Sequence, residues 1–416
     1  MDVRVLPRKL SGTVAAIASK SEAHRELIAA ALADAPTTIL CNTTSKDIEA
    51  TRDCLVALGA KITNIDGGLL VTPITTPNQD ALLDCVESGS TLRFLLPVAA
   101  ALGGGARFVG SGRLPERPLS PLDAELVRHG VTMSAGLLPL TLIGALQSGE
   151  YVLPGNISSQ YITGLLFALP LLTGDSTIRL TTPLESADYV EMTRQTLTRF
   201  GVKIELTETG YAIPGRQRYH SPKHLTVGGD WSNAAFFLAA GALGGNVRCT
   251  GLSMESLQAD RKIIPALSLM GADWERTDGI QAKKTRLSGC RISMKDCPDL
   301  LPILAVTAAF AEGETAFCDA ARLRIKESDR LFAMAAVLTR LGVSCHELPD
   351  GLIVQGGTAL HPAEIDGCND HRIVMAAAIA LSYGAGGVIH GAEAVEKSYP
   401  AFFEDLNALG GSAHVI

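Results

Sequence analysis

The sequence predicts an α/β protein made of six copies of one supersecondary unit. Three observations carry that expectation. A short phrase recurs as ALGAKI (57–62), RHGVTM (128–133), RFGVKI (199–204), LMGADW (269–274), RLGVSC (340–345) and ALGGSA (408–413). Its glycines, Gly59, Gly130, Gly201, Gly271, Gly342 and Gly410, stand 71, 71, 70, 71 and 68 residues apart, a spacing that marks an internal repeat. About midway between them lies a second, more apolar run, and each of its six versions opens with Ser, Asp or Asn.

Each element of the unit follows from local chemistry. The six apolar runs start near Ser21, Ser90, Ser159, Asp230, Asp299 and Asp370. Those residue types cap free backbone N–H groups, and runs apolar all round are expected to be buried helices. A strand such as Ser176-Thr177-Ile178-Arg179-Leu180 comes next. An amphipathic helix such as 189–197 follows and closes at Gly201, where glycine accepts the left-handed conformation. Val202, Ile204 and Leu206 then alternate as in a strand. The unit reads strand, buried helix, strand, outer helix, strand pair.

Single cores stop growing near ~250–300 residues, so two three-unit domains are expected, with a short change of domain near Val227-Gly228-Gly229.

Composition narrows the class. The 416 residues are 47% hydrophobic and 5% aromatic, with ample core. A net charge of −7 gives no reason to expect nucleic acid or an anionic membrane as partner. Nine cysteines without CxxC spacing suggest reduced thiols in the cytoplasm, and neither a disulfide framework nor a zinc site. The apolar run Val14–Ala18 is too short and too interrupted for a signal peptide, and residues 373–389 read as a buried helix rather than a membrane span.

Repeats alone favour a scaffold whose units merely stack. The placement of charge points elsewhere. The buried-helix N-termini carry Lys20, Ser21 and Arg25; Ser90 and Arg93; Ser158, Ser159 and Gln160; Asp230; Asp299; and Asp370, His371 and Arg372. Helix N-termini suit phosphate and carboxylate groups. Loops before the outer helices read LPERP (114–118), LESADY (184–189), MESLQAD (254–260), IKESDR (325–330) and VEKSYP (395–400), placing Arg117, Ser186, Lys326 and Lys397 at equivalent positions. A polyanionic partner is expected for Lys20, Arg25, Arg93, Arg117, Lys326, Arg330, Arg372 and Lys397, with Asp299 and Glu327 as the carboxylates able to do acid–base work among them.

SKSEAHR, ERP, SSQ, the Gly-Asp pair at 229–230, the Pro-Asp pair at 298–299, RIKESDR, NDHR and EKSYP occur in an order and spacing that resembles the 5-enolpyruvylshikimate-3-phosphate synthase family from about residue 19 to residue 400. The resemblance implies two domains of three βαβαββ units each, an inside-out α/β barrel arrangement with buried helices aimed at an inter-domain cleft that closes on substrate. It assigns residues 20–228 to the first domain and 1–19 plus 229–416 to the second. It implies transfer of the enolpyruvyl group of phosphoenolpyruvate to the 5-hydroxyl of shikimate 3-phosphate, with release of phosphate and no metal or organic cofactor. The partners would be these two small molecules alone, and the expected enzyme is a cytoplasmic monomer.

By motif, Ser21, Arg25, Ser158, Ser159, Ser186, Tyr189 and Lys326 resemble the shikimate 3-phosphate grip, with Gln160 between the substrates. Lys20, Arg93, Arg117, Arg330, Arg372 and Lys397 resemble the phosphoenolpyruvate grip, with close backbone at Gly89 and Ser90. Asp299 resembles the base, Glu327 with Lys20 the proton donor, and His371 a residue that orients its neighbours. The chain departs from the family pattern at Ile17-Ala18, at Glu87-Ser88-Gly89-Ser90 and at Arg322. The alternatives are enolpyruvyl transfer to UDP-N-acetylglucosamine, disfavoured because no cysteine lies between Cys85 and Cys249, or an inactive anion-binding relative.

Overall fold

The structure, a computed structural model, describes residues 1–416 and divides into two compact units. One is continuous, Lys20–Val227; the other is composite, Met1–Ser19 with Gly228–Ile416. In the continuous unit the helices run α1 (Lys20–Ala31), α2 (Lys46–Ala57), α3 (Gly89–Leu102), α4 (Leu122–Arg128), α5 (Ser159–Ala168) and α6 (Ala187–Arg199). In the composite unit they run α7 (Trp231–Ala242), α8 (Ile263–Leu269), α9 (Leu301–Ala309), α10 (Arg330–Arg340), α11 (His371–Tyr383) and α12 (Phe402–Ala408).

Odd-numbered helices are buried over most of their length, and all but α1 are apolar, as α9 and α11 show. Even-numbered helices bury one face; α6 buries Val190, Met192, Thr193, Thr196 and Leu197. Every outer helix ends beside one of the six periodic glycines, and all six have positive φ, from 76° to 116°.

Six four-stranded sheets share one pattern, a parallel pair followed by an antiparallel pair, and in four of them a buried helix joins the two parallel strands directly. In the third repeat Glu150–Leu153 runs parallel to Ser176–Leu180, which pairs antiparallel with Gly210–Ile213 and through it with Glu205–Thr207. The alternation expected from Val202 thus becomes strand only at Glu205. No sheet closes on itself, so the arrangement is helices wrapped by separate sheets and not a hydrogen-bonded barrel.

Three sheets are completed by strands distant in sequence. Thr37–Leu40 takes its parallel partner from His224–Thr226, at the end of the same unit. Asn246–Thr250 pairs in parallel with Ser11–Ala15, and Val3–Val5 lies between Gly387–His390 and Ala413–Val415. Residues 1–19 therefore supply strands to the composite unit's first and last repeats. Where the two segments of that unit run side by side, Ala18 bridges Gly229, and a Cβ at Gly229 would lie 2.4 Å from the Gly251 carbonyl oxygen. That close approach requires glycine.

The caps differ from the sequence expectation at four helices. At α5, Ser158 caps and Ser159 is the first helical residue. Ser88, rather than Ser90, caps α3, accepting from the Thr91 N–H. Ser21 is the second residue of α1. Asp299 lies in a 3-10 turn (Pro298–Leu300) that precedes α9. Asp230 and Asp370 do cap α7 and α11. The physical reason at Asp299 is competition: its carboxylate is held by cations, as described below. The structure contains nine free cysteines, and no helix is long and apolar enough to cross a membrane.

Candidate active site

Within the continuous unit, polar groups gather at the N-termini of α1, α3 and α5. Gly164 allows this: a Cβ there would lie 2.3 Å from the Arg93 carbonyl oxygen, so glycine lets α5 cross α3 closely. Gln160 at the start of α5 reaches α3 twice, accepting from Arg93 Nη1 at 3.1 Å and donating to Ser90 Oγ at 2.9 Å. Arg93 Nη2 donates to the Pro118 carbonyl at 3.2 Å. Arg117 joins Arg93 at the same point. The position that a Gly89 Cβ would occupy is 2.6 Å from Arg93 Nη1 and 2.7 Å from Arg117 Nη1. Two guanidiniums converging on a helix N-terminus form a site for an anion.

Arg25 is buried in α1 and well tied. Its Nη1 donates to the Ser21 carbonyl at 2.6 Å, its Nη2 to the Tyr189 carbonyl at 2.9 Å, and its Nε to Thr193 Oγ1 at 2.9 Å. Burial lowers its pKa to about 10, which leaves it charged at neutral pH. Lys20 pairs with Asp47 at 2.8 Å. Ser158 Oγ accepts from the Gln160 N–H, and Ser159 is buried beside it. Ser186 is buried with φ of 53° immediately before α6, on which Tyr189 lies.

In the composite unit the remaining residues assemble around Asp299. Its Oδ1 lies 2.7 Å from Arg330 Nη1 and 3.3 Å from Lys326 Nζ, and its Oδ2 lies 3.4 Å from Arg372 Nη2. Burial would push this carboxyl up, but Lys326, Arg372 and Arg330 outweigh it and hold it well below the usual carboxylate range. Arg330 is fully buried and also grips Asp370, with Nε to Oδ2 at 2.8 Å and Nη2 to Oδ1 at 3.1 Å. Glu327 accepts at 2.7 Å from His371 Nδ1, while Lys397 Nζ donates to the Asn369 carbonyl at 2.5 Å. Glu327, Asp370 and His371 bring metal-ligand atoms within 4.8 Å of one another, yet Arg330 supplies the positive charge against them.

The predicted residues thus fall into two sets. Lys20, Ser21, Arg25, Gly89, Ser90, Arg93, Arg117, Ser158, Ser159, Gln160, Ser186 and Tyr189 belong to the continuous unit. Asp299, Lys326, Glu327, Arg330, His371, Arg372 and Lys397 belong to the composite one.

Residues 6–406 match the profile of the family described as EPSP synthase (3-phosphoshikimate 1-carboxyvinyltransferase). The chain belongs to the EPSP synthase family. Among its relatives, the 3-phosphoshikimate 1-carboxyvinyltransferase of Clostridium acetobutylicum is 42% identical, across 99% of this chain and 98% of that one. The enzyme of the same name from Clostridium kluyveri is also 42% identical, across 98% and 97%. EPSP synthase from Acinetobacter baumannii superposes with a TM-score of 0.83 at 26% identity, covering both chains fully. The enolpyruvyl transferase NikO from Streptomyces tendae shares the fold, with a TM-score of 0.81 at 19% identity over 99% and 98% of the two chains.

Three further residues of this candidate site carry little signal in the sequence. Asp370 is more than a cap, because it holds Arg330 from the side opposite Asp299. Asp260 is fully buried, hydrogen-bonded by Ser232, and 3.9 Å from Arg372. Thr193 receives Arg25. The period offered a signal for Asp370, which falls 71 residues after Asp299; nothing in the local sequence marks Thr193.

Proposed function

We propose that this chain transfers the enolpyruvyl group of phosphoenolpyruvate to the 5-hydroxyl of shikimate 3-phosphate and releases inorganic phosphate. One observation supports it above the others: a carboxylate, Asp299, held among Lys326, Arg330 and Arg372 in a member of the EPSP synthase family. An anion-binding relative without chemistry has no need of that carboxylate.

Asp299 is the base, Glu327 with Lys20 the proton donor, and His371 orients Glu327 through its Nδ1. Glu327 gives a proton to the methylene carbon of phosphoenolpyruvate, and cationic character develops at C2. The 5-hydroxyl attacks C2 while its proton passes to Asp299, giving a tetrahedral adduct that still carries phosphate. The C–O bond to phosphate then breaks, a methyl proton returns to the enzyme, and the enol ether forms. Charge on the departing phosphate is met by Lys20, Arg93, Arg117, Arg330, Arg372 and Lys397. Ser21, Arg25, Ser158, Ser159, Ser186, Tyr189 and Lys326 bind the acceptor, with Gln160 between the substrates and Gly89 and Ser90 offering backbone at the α3 N-terminus.

A carboxylate tied to three cations is a weak base. Substrate phosphate and carboxylate groups compete for Lys326 and Arg372, and drawing them away restores basicity to Asp299 when the acceptor is in place. We read the enzyme as a cytoplasmic monomer needing no metal or organic cofactor; nine cysteines without CxxC spacing fit a reducing compartment. The test is phosphate release from phosphoenolpyruvate with shikimate 3-phosphate or UDP-N-acetylglucosamine as acceptor. Release with the first alone supports the assignment, whereas release with the second alone, or with neither, contradicts it.

A further inference from the structure

Three buried hydroxyls and one imidazole form a continuous chain that the chemistry above does not use. His24 Nδ1 on α1 lies 2.7 Å from Thr51 Oγ1 on α2. Thr51 Oγ1 lies 2.6 Å from Thr91 Oγ1 on α3, and Thr91 Oγ1 donates to Ser88 Oγ at 2.8 Å. All four side chains are buried. Ser88 is the α3 cap, and Gly89, Ser90 and Arg93 follow it directly.

The proton order is fixed by the last link. Thr91 has one hydroxyl proton and gives it to Ser88, so its oxygen accepts from Thr51. Thr51 has then spent its own proton and accepts from His24, which must carry its hydrogen on Nδ1. His24 Nε2 meets no hydrogen-bond partner, as a bare lone pair in an apolar setting would, with the ring edge-on to Phe94 at 6.4 Å. Burial, with Lys20 and Arg25 nearby, keeps the imidazole neutral. Thr51 and Thr91 each both accept and donate, which strengthens the run that ends on the Ser88 oxygen. Ser88 Oγ also accepts from the Thr91 N–H at 3.2 Å, so the cap is held from two directions.

We propose that His24, Thr51 and Thr91 are positioning residues that hold the Ser88 cap, and with it the Gly89–Ser90 backbone and Arg93, in the geometry that binds phosphoenolpyruvate. The identity of that ligand rests on the function proposed above. The chain starts one residue before Arg25 and reaches the α3 N-terminus through α2, so its effect belongs to the phosphoenolpyruvate side. The acceptor grip on α1 keeps its own ties through Arg25 to Ser21, Tyr189 and Thr193.

Thr51→Val and Thr91→Val delete one hydroxyl each at nearly constant shape. Each is expected to raise KM for phosphoenolpyruvate by about tenfold while KM for shikimate 3-phosphate moves by less than about twofold. Thr91→Ser, which keeps the hydroxyl, and His24→Asn, which keeps an N–H near the position of Nδ1, are expected to stay within about threefold of the parent. A purely structural role predicts a lower melting temperature with both KM values moving together, and that result overturns the proposal, as does an unchanged phosphoenolpyruvate KM in Thr91→Val. Calorimetric binding of inorganic phosphate to the parent and to Thr91→Val gives a readout independent of turnover. A parent that binds phosphate without turnover refutes the function and leaves the positioning role to be judged by weaker phosphate binding in Thr91→Val, equal binding refuting it.

Discussion

Arg330 Nη1 lies 2.7 Å from Asp299 Oδ1, so the proposed base and a cation proposed to bind substrate neutralise each other before any ligand arrives. Each buried charge has a partner, and removing one alone would leave the other uncompensated. It also means that an incoming anion must exchange partners within an existing network and does not enter an open positive field.

Replacing Asp299 follows from that exchange. Asp299→Ala is expected to lower kcat by ~10²-fold or more, the usual scale of acid–base contributions. Shikimate 3-phosphate binding is expected to stay as tight as in the parent or to tighten, since Lys326, Arg330 and Arg372 lose a competitor. Titration calorimetry beside steady-state kinetics checks both parts; near-normal turnover removes Asp299 from its role.

A methyl group at position 89 would meet Arg93 Nη1 at 2.6 Å and Arg117 Nη1 at 2.7 Å. Both guanidiniums are side-chain termini that can swing aside, so Gly89→Ala should fold. The displaced fork should bind its anion less well, with a rise of roughly tenfold or more in KM for phosphoenolpyruvate, within the ~1–3 kcal/mol range of overpacking. KM for shikimate 3-phosphate should change little, and an equal rise in both would count against the assignment of Arg93 and Arg117.

Glu26 on α1 is fully buried, with Arg199 Nη1 3.1 Å from Oε1 and no hydrogen-bond partner at Oε2. Burial pushes its carboxyl up to about 7, with Glu22 adding to the rise and Arg199 opposing it. Because the folded value exceeds the unfolded value of 4.5, the folded state binds the proton more tightly. The stability this gives is full below about pH 4.5 and is lost as pH rises through about 7. Glu26→Gln, which mimics the protonated form, should therefore stabilise the protein near pH 8 by on the order of 1–3 kcal/mol and make no difference near pH 4. Urea titrations at the two pH values decide it, and a gain that is the same at both contradicts the linkage.

Val86 has φ of 50° two residues before the Ser88 cap, held by its N–H to Asp84 Oδ1 at 2.9 Å. A β-branched residue is strained in that region. Val86→Asn should raise stability by ~0.5–1 kcal/mol, since asparagine tolerates the conformation. Thermal unfolding measures it; a lower midpoint would show that the Val86 side chain contributes more through packing than its conformation costs.

Much of this molecule is legible in one dimension. The period of the six glycines gives the repeat, and each glycine does adopt the conformation that ends a helix. Three-unit grouping follows from the size limit on a core, and RIKESDR with NDHR marks the carboxylates and cations now found around Asp299. Legibility fails where distant groups compete. A capping serine and a ligand-facing serine look alike in sequence, so Ser88 and Ser90 are told apart only by which hydroxyl meets the Thr91 N–H. Thr51 and Thr91 read as ordinary helix residues until folding brings them within 2.6 Å. The strand at 3–5 is invisible as a partner for 413–415, because pairing across nearly the whole chain leaves no local pattern.

Enolpyruvyl transfer through a tetrahedral adduct is distinguished from simple hydrolysis of phosphoenolpyruvate by the fate of the phosphate. A single-turnover reaction with enzyme in excess, followed by ³¹P NMR after rapid quenching, tests it most directly. The proposed chemistry predicts that phosphoenolpyruvate is consumed only when shikimate 3-phosphate is present, through an adduct that retains phosphate and then yields inorganic phosphate with the enol ether. Phosphate released from phosphoenolpyruvate without the acceptor, or no adduct and no product with it, would contradict the account.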